Sequence, residues 1–391
     1  MTDRVDARRR KALKVLGAAV AAPTLASLGA CASQTGPSGA HSRALAQPIS
    51  RPLSRQPFAA PRISEDRIVR VITGHRPFRP SGFVVKREVF DAKSVIHNYG
   101  HGGGGISLAW GSSALAVQQA AALPVGEAAV MGSGIMGLTT ARLLQDAGWS
   151  VTIYTRSPSR HSVSNVGGGQ WAPTGVFDEK VASEAFIAQY KYASRIAHHA
   201  YQNFVGADYG VSFVENYYLS DEPQEGGYYI REMPELFASV ADLKPGHHPF
   251  PSPFVKQTVT MLIEPAMFLR QVRNDFFIAG GKIVAKDFKS LSDVLALKEA
   301  TIFNCTGLGA KALFDDDELE PAKGQLVLLP PDPAVDYLTV GGGSGVTYMF
   351  SRKGEILLGG SFERGNWSRE PDPEVTERII ADNRAVFESF A

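Results

Sequence analysis

The chain has few cysteines and almost no net charge, and its N-terminal apolar run is too short for a transmembrane helix. Its two cysteines, Cys31 and Cys305, exclude a disulfide framework and argue against a cysteine metal site. Lysine and arginine number 40 against 39 aspartates and glutamates, so the net charge is +1 and no nucleic-acid partner is expected. No catalytic triad or metal-ligand motif stands out. We therefore expect a small-molecule partner and no metal.

The length and the N-terminus favour two domains behind an export signal. The 391 residues are 44% hydrophobic, enough for a large core. A basic segment, Arg8–Lys14, precedes a short Ala/Leu/Val-rich run from Val15 to Leu28, so residues 1–32 are predicted to be a signal peptide. Arg9–Lys14 resembles the twin-arginine export motif, which carries folded proteins with their cofactor. The predicted location is outside a bacterial cytoplasm, periplasmic or extracellular.

Two forms of processing stay open around Cys31. Leu28–Cys31 resembles a bacterial lipobox, which predicts a lipidated Cys31 and attachment to a membrane. Ala30 and Ala32 also fit the A-x-A pattern of a plain signal peptide cut after Ala32. Residues 33–63 are rich in Ser, Pro, Gly, Ala and Arg without apolar periodicity, which predicts a flexible linker.

A glycine fingerprint lies in the middle of the chain. The apolar run Ala128–Met131 leads into Gly132, Gly134 and Gly137, spaced as G-x-G-x-x-G. A helical pattern, Leu138–Gly148, and a second strand pattern, Ser150–Tyr154, follow. In a strand-turn-helix-strand unit these glycines allow the tight turn, the approach of a pyrophosphate and close packing of helix on strand. The segment therefore predicts a bound dinucleotide.

The residues before the fingerprint also carry candidate ligand groups. Arg76 and Arg79 each lie next to a proline on an extended backbone, where a guanidinium can be aimed at a carboxylate. Either arginine, with one of several tyrosines, is a candidate substrate anchor. Residues 82–89 predict a strand, and a second strand from Ser94 runs into the four glycines Gly102–Gly105, with a helix from about residue 109. Consecutive glycines let a backbone lie against a flat or anionic ligand.

The remainder of the chain predicts a mixture of strands and helices. Helical patterns cover 181–204, 266–278 and 372–387, strand patterns cover 211–219, 258–265, 282–285 and 301–304, and 220–256 is predicted to be loop. Cys305 is interpreted as a small buried apolar residue. The acidic run Asp315–Glu318 is interpreted as a solvated turn rather than a metal site. Because no acid-base group stands out, a cofactor is expected to carry the chemistry.

Several of these segments together resemble the D-amino-acid oxidase family. The matching segments are Ile96–Gly103, Trp110–Gly111, Asn165–Pro173, Asn304–Gly307, Lys323–Leu326, Leu358–Phe362 and Gly365–Ser368. The resemblance covers residue 65 to the end and implies an α/β fold, with a Rossmann-like FAD-binding domain and a second α+β substrate domain on a mixed sheet. The implied FAD-binding domain comprises 91–178, 258–310 and 355–391. The implied substrate domain comprises 64–90, 179–257 and 311–354.

The order of the matching segments differs from the order in the family. There the fingerprint opens the chain and the His-Asn-Tyr-Gly-His-Gly-Gly segment closes it, whereas here that segment, at residues 97–103, comes first. Residues 121–127 would join the old end to the old beginning, and the family's continuation after 372–387 stands here at about 64–80. The sequence is therefore predicted to be circularly permuted and complete, because rejoining surface termini can keep the same core.

The resemblance implies the site residues and the reaction. It implies that Arg76 and Tyr348 bind the substrate carboxylate. It also implies that the Gly103 carbonyl accepts a hydrogen bond from the substrate amine. It assigns cofactor contacts to Gly102, Gly105, Ile106, Ser107, Gly132, Gly134, Ile135, Met136, Gly137, Arg156, Ser164, Gly168, Gly169, Gln170, Thr306 and Gly307. The implied reaction is oxidation of a D-amino acid by FAD, with O2 reduced to H2O2 and hydrolysis of the imino acid. Oligomeric state is not predicted.

The sequence also departs from the family pattern. The second active-site tyrosine has no counterpart near Gly341–Gly345, which predicts a glycine-rich lid. Tyr154–Arg156 stands where an acidic residue often holds the ribose. Three functions therefore stay open: a D-amino-acid oxidase, a related amine or glycine oxidase or acceptor-linked dehydrogenase, and a flavin-binding protein without turnover.

Overall fold

A computed structural model describes residues 58–156 and 163–390. The predicted signal peptide, Cys31 and most of the predicted linker lie outside the described residues. None of the helices in the described ranges has the length and apolar character needed to cross a membrane.

Two β-sheets organise the described chain. The strands are β1 Arg70–Phe78, β2 Val84–Phe90, β3 Lys93–Tyr99, β4 Glu127–Met131, β5 Ser150–Thr155, β6 Val211–Ser220, β7 Ser239–Leu243, β8 Phe254–Ile263, β9 Lys282–Ala285, β10 Thr301–Asn304, β11 Glu320–Leu329, β12 Tyr337–Gly341, β13 Tyr348–Ser351, β14 Ile356–Gly359 and β15 Glu363–Arg364. The α-helices are α1 Gly105–Gln118, α2 Ile135–Asp146, α3 Glu184–Gln202, α4 Tyr228–Glu232, α5 Pro265–Ile278, α6 Leu291–Leu295, α7 Gly309–Leu313 and α8 Pro373–Val386.

The smaller sheet contains the fingerprint strand. Its six strands run in the order β2-β3-β10-β4-β5-β9, with β2 antiparallel to β3 and the other neighbours parallel. Residues Ala128–Met131 of β4 and all of β10 are buried, as expected for parallel strands covered on both faces. Helix α2 connects β4 to β5, so the predicted strand-helix-strand unit at the fingerprint is confirmed.

The larger sheet has two differently used faces. Its nine strands follow the order β1-β11-β14-β13-β12-β6-β8-β7, with β15 added beside β11. One face packs Tyr217, Val327 and Leu358 against α8 and the chain near Phe58. The opposite face carries an apolar cluster that includes Leu326, Leu338, Phe350 and Tyr348. We call this second face the site face, because Arg76 and Tyr348 lie on it. The two sheets and mixed strands confirm the predicted fold class.

Several predicted elements differ from those observed. Helix α1 begins at Gly105 rather than near 109, directly after a turn of 3-10 helix at Gly102–Gly104, so the glycines form a helix start and not an extended nest. The predicted loop 220–256 contains α4, β7 and the beginning of β8. These short elements are held by distant partners, since β7 pairs antiparallel with β8, and local periodicity does not reveal such pairing.

Sheet membership differs from the predicted domain boundaries in three places. β2, within 64–90, belongs to the sheet that contains the fingerprint strand and not to the larger sheet. β8, most of which falls in 258–310, and β14, in 355–391, belong to the larger sheet. From β1 to β15 the chain changes sheet four times, whereas the predicted order changes domain five times, and the domain boundaries themselves stay a prediction.

Candidate functional site

The fingerprint turn has the close contacts that require glycine. Gly132 has φ 101°, a backbone conformation that favours glycine. A Cβ there would lie 2.5 Å from the carbonyl oxygen of Cys305, which directly follows the neighbouring strand β10. A Cβ at Gly137 would collide with the carbonyl of Gly132, so the helix packs tightly on the turn. Gly134 meets only the Ser164 hydroxyl, 3.2 Å from the position of a Cβ. Ser164 is the sole described neighbour within 4 Å of that position, and the fingerprint predicts that a pyrophosphate approaches Gly134 beside it.

The glycine run before α1 meets the fingerprint from the other side. Gly103 N–H donates to the carbonyl of Gly175 (2.8 Å). A Cβ at Gly105 would lie 3.8 Å from the Met136 side chain of the fingerprint helix. A Cβ at Gly102 would collide with the same Gly175 carbonyl. Residues far apart in sequence are thus packed together through their backbones, and the contact of this segment with a flat ligand stays a prediction.

The segment after β5 packs with these residues. The Ser164 hydroxyl accepts from Ile135 N–H (3.1 Å) at the start of α2. The Ser107 hydroxyl donates to the Gln170 carbonyl (3.3 Å) and accepts from Ala172 N–H (3.0 Å). Gly168 packs on the Phe350 ring, Gly169 packs on the Ile263 carbonyl, and Ile106 packs beside Gly167. The predicted cofactor residues on three separate segments are therefore neighbours.

The loop after β10 is fixed by a buried chain of hydrogen bonds. Asn304 Oδ1 accepts from the backbone N–H and the hydroxyl of Thr306 (3.2 and 2.7 Å). Its Nδ2 lies 3.1 Å from His97 Nδ1, and His97 Nε2 lies 2.9 Å from Glu88. Burial lowers the pKa of His97, partly opposed by the charge of Glu88. A neutral His97 that accepts at Nδ1 and donates from Nε2 satisfies the whole chain and orients Thr306 and Gly307.

The two candidate arginines have different environments. Arg79 donates to Asp316 (2.9 Å) and Glu318 (2.7 Å), and also to Ser81 and the Gly82 carbonyl. Its guanidinium is therefore already neutralised, so Arg79 is a structural clamp and not a substrate anchor. The interpretation of 315–318 as a solvated turn is wrong for Asp316 and Glu318, which are the partners in this clamp. No local pattern reveals the clamp, because its partners lie 237 residues or more along the chain.

Arg76 keeps its charge available on the site face. In the described chain its guanidinium has one hydrogen bond, to the Ser361 carbonyl (3.3 Å), and no acidic partner. It lies 5.5 Å from the centre of the Phe362 ring. Phe362 in turn lies 3.6 Å from the position of a Cβ on Gly175, the residue bonded to Gly103. Arg76 and the glycine run are thus linked through two residues.

Two glycines on the central strands give Arg76 and Tyr348 room to converge. Strands β11 and β14 are paired and lie between β1 and β13. A Cβ at Gly324 of β11 would collide with the Arg76 guanidinium. A Cβ at Gly359 of β14 would collide with the Tyr348 ring. Each polar side chain therefore leans inward over a glycine, towards the central strands β11 and β14 of the site face.

Several functional residues were not identified from the sequence. Gly324, Gly359 and Ser361 were not predicted as site residues, although they fall inside segments that carried the family resemblance. The two glycines could be identified from their position, because glycines on paired strands leave room for larger side chains from the flanking strands. Single-strand patterns do not show which strands are neighbours.

The remaining predicted residues have less defined roles. Arg156 is exposed at the end of β5. The hydroxyl of Tyr154 donates to Glu299 (3.1 Å), away from the fingerprint. Burial raises the pKa of the Cys305 thiol to about 12, which agrees with the interpretation of Cys305 as an unreactive buried residue. The glycine-rich segment Gly341–Gly345 joins β12 to β13, and its role as a lid stays a prediction.

Comparisons with known proteins agree with this geometry. The model of the family described as "FAD dependent oxidoreductase" (DAO) matches residues 127–391. The D-amino-acid oxidase of Streptomyces coelicolor is 29% identical over 258 residues, covering 65% of this chain and 76% of that protein. The human D-aspartate oxidase is 27% identical over 266 residues, covering 65% and 73%. The solved glycine oxidase from Bacillus cereus has 12% identity and a TM-score of 0.50 over 66% of this chain and 77% of that one, a likeness of fold alone.

The described residues fit an FAD molecule. The collisions that a Cβ would cause at Gly132 and Gly137 show a backbone turn of the kind that dinucleotides require. The Ser164 hydroxyl at the helix start and the oriented Thr306–Gly307 loop supply polar groups beside it. Because Gly102–Gly104 and Gly168–Gly169 have no side chains, their backbones pack closely on neighbouring segments and bring the predicted cofactor residues together. These residues would hold the pyrophosphate and the flavin.

Proposed function

Since the chain belongs to the family of FAD-dependent oxidoreductases, we propose that it oxidises D-amino acids to 2-oxo acids and ammonia, with O2 reduced to H2O2. The observation that supports this proposal most is the convergence of Arg76 and Tyr348 over Gly324 and Gly359. A guanidinium group and a phenol hydroxyl on the same apolar face can both donate hydrogen bonds to one carboxylate. Relatives named D-amino-acid oxidase in two bacteria support the same substrate class.

The residues of the chain would bind and orient the substrate. When bound, FAD supplies the two-electron oxidising power. The Arg76 guanidinium and the Tyr348 hydroxyl would hold the two carboxylate oxygens, and the Gly103 carbonyl would accept a hydrogen bond from the neutral amine. These contacts and the cofactor surface leave one face for the Cα–H bond and would therefore select one enantiomer, which the names of the relatives make the D form in this proposal. The imino acid that leaves is hydrolysed by water.

A peroxide assay on a panel of substrates tests the proposal. We expect H2O2 from D-amino acids and none from the matching L-amino acids. Glycine and sarcosine serve as controls for a related amine oxidase. Turnover of glycine or sarcosine without turnover of any D-amino acid would contradict the proposed substrate class. Substrate-dependent reduction of an artificial electron acceptor without peroxide would instead indicate a dehydrogenase.

We also infer that the chain is a circular permutation of the family. The family model begins at residue 127, and the S. coelicolor relative is covered over 76% of its length. Residues 70–99 supply β1 to the larger sheet and β2 and β3 to the smaller one. These three strands carry Arg76 and lead into the glycine run, so they are candidates for the part of the family fold that the match leaves out. The Phe58 and Phe390 rings lie 6.3 Å apart, which supports a short connection between the two ends of the described chain.

From the sequence we further propose that the protein is exported by a bacterial cell, with Cys31 lipidated or removed with the signal peptide. The supporting observation is the arginine pair Arg9–Arg10 before a short apolar run. Replacing both arginines by lysine should retain the protein in the cytoplasm of an expressing bacterium, measured by cell fractionation. An exported variant would contradict the twin-arginine route, and a cytoplasmic wild-type protein would contradict export.

A further inference from the structure

A hydrogen-bonded string of neutral side chains lies at one edge of the candidate site. Gln170 Nε2 donates to the Tyr218 hydroxyl (3.3 Å), and the Tyr218 and Tyr229 hydroxyls are 2.6 Å apart. Tyr229 belongs to α4, inside the segment predicted to be loop, and it is buried. The backbone carbonyl of Gln170 accepts a hydrogen bond from Ser107 of α1, which holds this segment against the helix. We call Gln170, Tyr218 and Tyr229 the polar string.

The polar string shares the site face with the carboxylate-binding pair. The pairing of β12 with β13 and β6 places Tyr348, Val340 and Tyr218 in one row across the sheet, in that order. Neighbouring strands are about 4.8 Å apart, so the Tyr218 backbone lies about 10 Å from that of Tyr348. Val340 lies between the two tyrosines and offers an apolar floor. The Tyr348 ring leans over Gly359 of β14, so its hydroxyl lies on the far side of β13 from Tyr218. To reach the polar string, a substrate held by Arg76 and Tyr348 has to extend its side chain back across β13 and over Val340, which favours a long side chain.

The polar string has unused hydrogen-bonding capacity. Gln170 is half-buried, and its Oε1 has no partner in the part of the chain that the structure describes. Asn216, two residues before Tyr218 on the same face, is fully buried, and neither of its amide atoms has a hydrogen-bond partner among the described residues. Buried amides without partners are uncommon, because each loses its bonds to water.

The polar string carries no net charge. Burial raises the pKa of Tyr218 to about 12 and also raises the pKa of Tyr229, so both phenols stay protonated at neutral pH. Lys256 pairs with Tyr218 in the strand register, but its ammonium group is bound by Asp242 (2.5 Å). A substrate side chain that reaches this edge therefore meets neutral donors and acceptors rather than an uncompensated charge.

We propose that the polar string selects D-amino acids with an uncharged polar side chain that ends in a hydrogen-bond donor, such as the carboxamide of D-glutamine. The inference rests on the proposed function. The methylene groups lie on Val340, and the terminal amide donates to Gln170 Oε1, whose orientation is set by Tyr218 and Tyr229. A charged side chain would lose its hydration here without gaining a counterion.

The ratio of kcat/KM for D-glutamine to that for D-methionine tests the inference. The two side chains have similar length, and only the first has a terminal donor. We expect the wild-type enzyme to prefer D-glutamine and the ratio to fall about tenfold in Gln170→Leu, since one hydrogen bond is lost. Tyr218→Phe should lower the same ratio, because Gln170 loses its partner. This second variant carries the test if Gln170→Leu does not retain FAD.

Tyr217→Phe is the matched control. Tyr217 lies on the same strand, but its hydroxyl bonds to Glu215 and Gln257, and its ring packs on the opposite face. The control should keep the wild-type ratio. Three results would overturn this inference alone, provided that the enzyme turns over D-alanine. The first is a wild-type D-glutamine to D-methionine ratio at or below one, and the second is a ratio that stays unchanged in both site variants. The third is a preference for D-lysine or D-glutamate over D-glutamine. Absence of turnover with every D-amino acid would overturn the proposed function and this inference with it.

Discussion

Arg76 and Arg79 are three residues apart, yet they have opposite uses. Arg79 is enclosed by Asp316, Glu318 and two further acceptors, so its charge is neutralised within the fold. Arg76 is half-buried with one carbonyl partner and therefore favours an external anion. The sequence identified both arginines as candidates because they share the same local context. The choice between them depends on partners that are distant in sequence.

Removing the Arg76 guanidinium should weaken substrate binding without releasing FAD. In Arg76→Ala the carboxylate of the bound substrate loses its cationic partner. The loss of binding free energy is roughly 2–5 kcal/mol, which corresponds to a rise in KM of about 30-fold to 5,000-fold. Steady-state peroxide kinetics with D-alanine measure KM, and the absorbance of the purified protein reports retained FAD. Arg195→Ala, an exposed arginine paired with Glu235, is the control with unchanged KM. An Arg76→Ala enzyme with wild-type KM would reject the assigned role.

At the scale of elements, the fingerprint turn is the part that the sequence predicted best. Gly132, Gly134 and Gly137 could be interpreted from their spacing because β4, α2 and β5 are consecutive, with an apolar run for β4 and clear patterns for α2 and β5. The 220–256 segment shows the opposite case. Its helix α4 has five residues and is held by the contact of Tyr229 with Tyr218, so its stability comes from tertiary packing.

A side chain at Gly134 should prevent FAD binding while leaving the fold intact. In Gly134→Val the new Cβ points to the Ser164 hydroxyl, a contact of 3.2 Å that a small shift relieves, but the added methyl groups occupy the side from which the pyrophosphate approaches. We expect a folded, colourless protein, measured by circular dichroism and flavin absorbance after purification. Gly126→Ala is the control, because a Cβ there meets nothing within 4 Å. A yellow Gly134→Val protein would contradict the assignment of the fingerprint.

At the scale of the whole molecule, the order of the strands along the sequence differs from their order across the sheets. β3 precedes the fingerprint in sequence but pairs with β10 beside β4 in the smaller sheet. The sequence motifs led to the prediction of a permuted order, because each motif is local. They did not reveal that β2 joins the smaller sheet while β8 and β14 join the larger one, since pairing between strands depends on long-range contacts.

Restoring the family order should preserve the enzyme. A chain that runs from residue 125 to 390, continues through a short Gly/Ser linker and ends with residues 58–120 keeps every described strand. Because Phe58 and Phe390 are adjacent, the linker needs only a few residues. We expect bound FAD and a kcat/KM for D-alanine within an order of magnitude of the original. A control chain without residues 58–120 should lack turnover, as it has lost Arg76 and β1 to β3. A soluble rearranged chain that cannot bind FAD would contradict the permutation.

The most direct test of the central claim is the absorbance spectrum of the purified FAD-bound protein under anaerobic conditions, before and after addition of D-alanine or L-alanine. The account predicts that D-alanine bleaches the visible absorbance band of the oxidised flavin, that L-alanine leaves it unchanged, and that admission of O2 restores it. A flavin band that no D-amino acid bleaches would contradict the account.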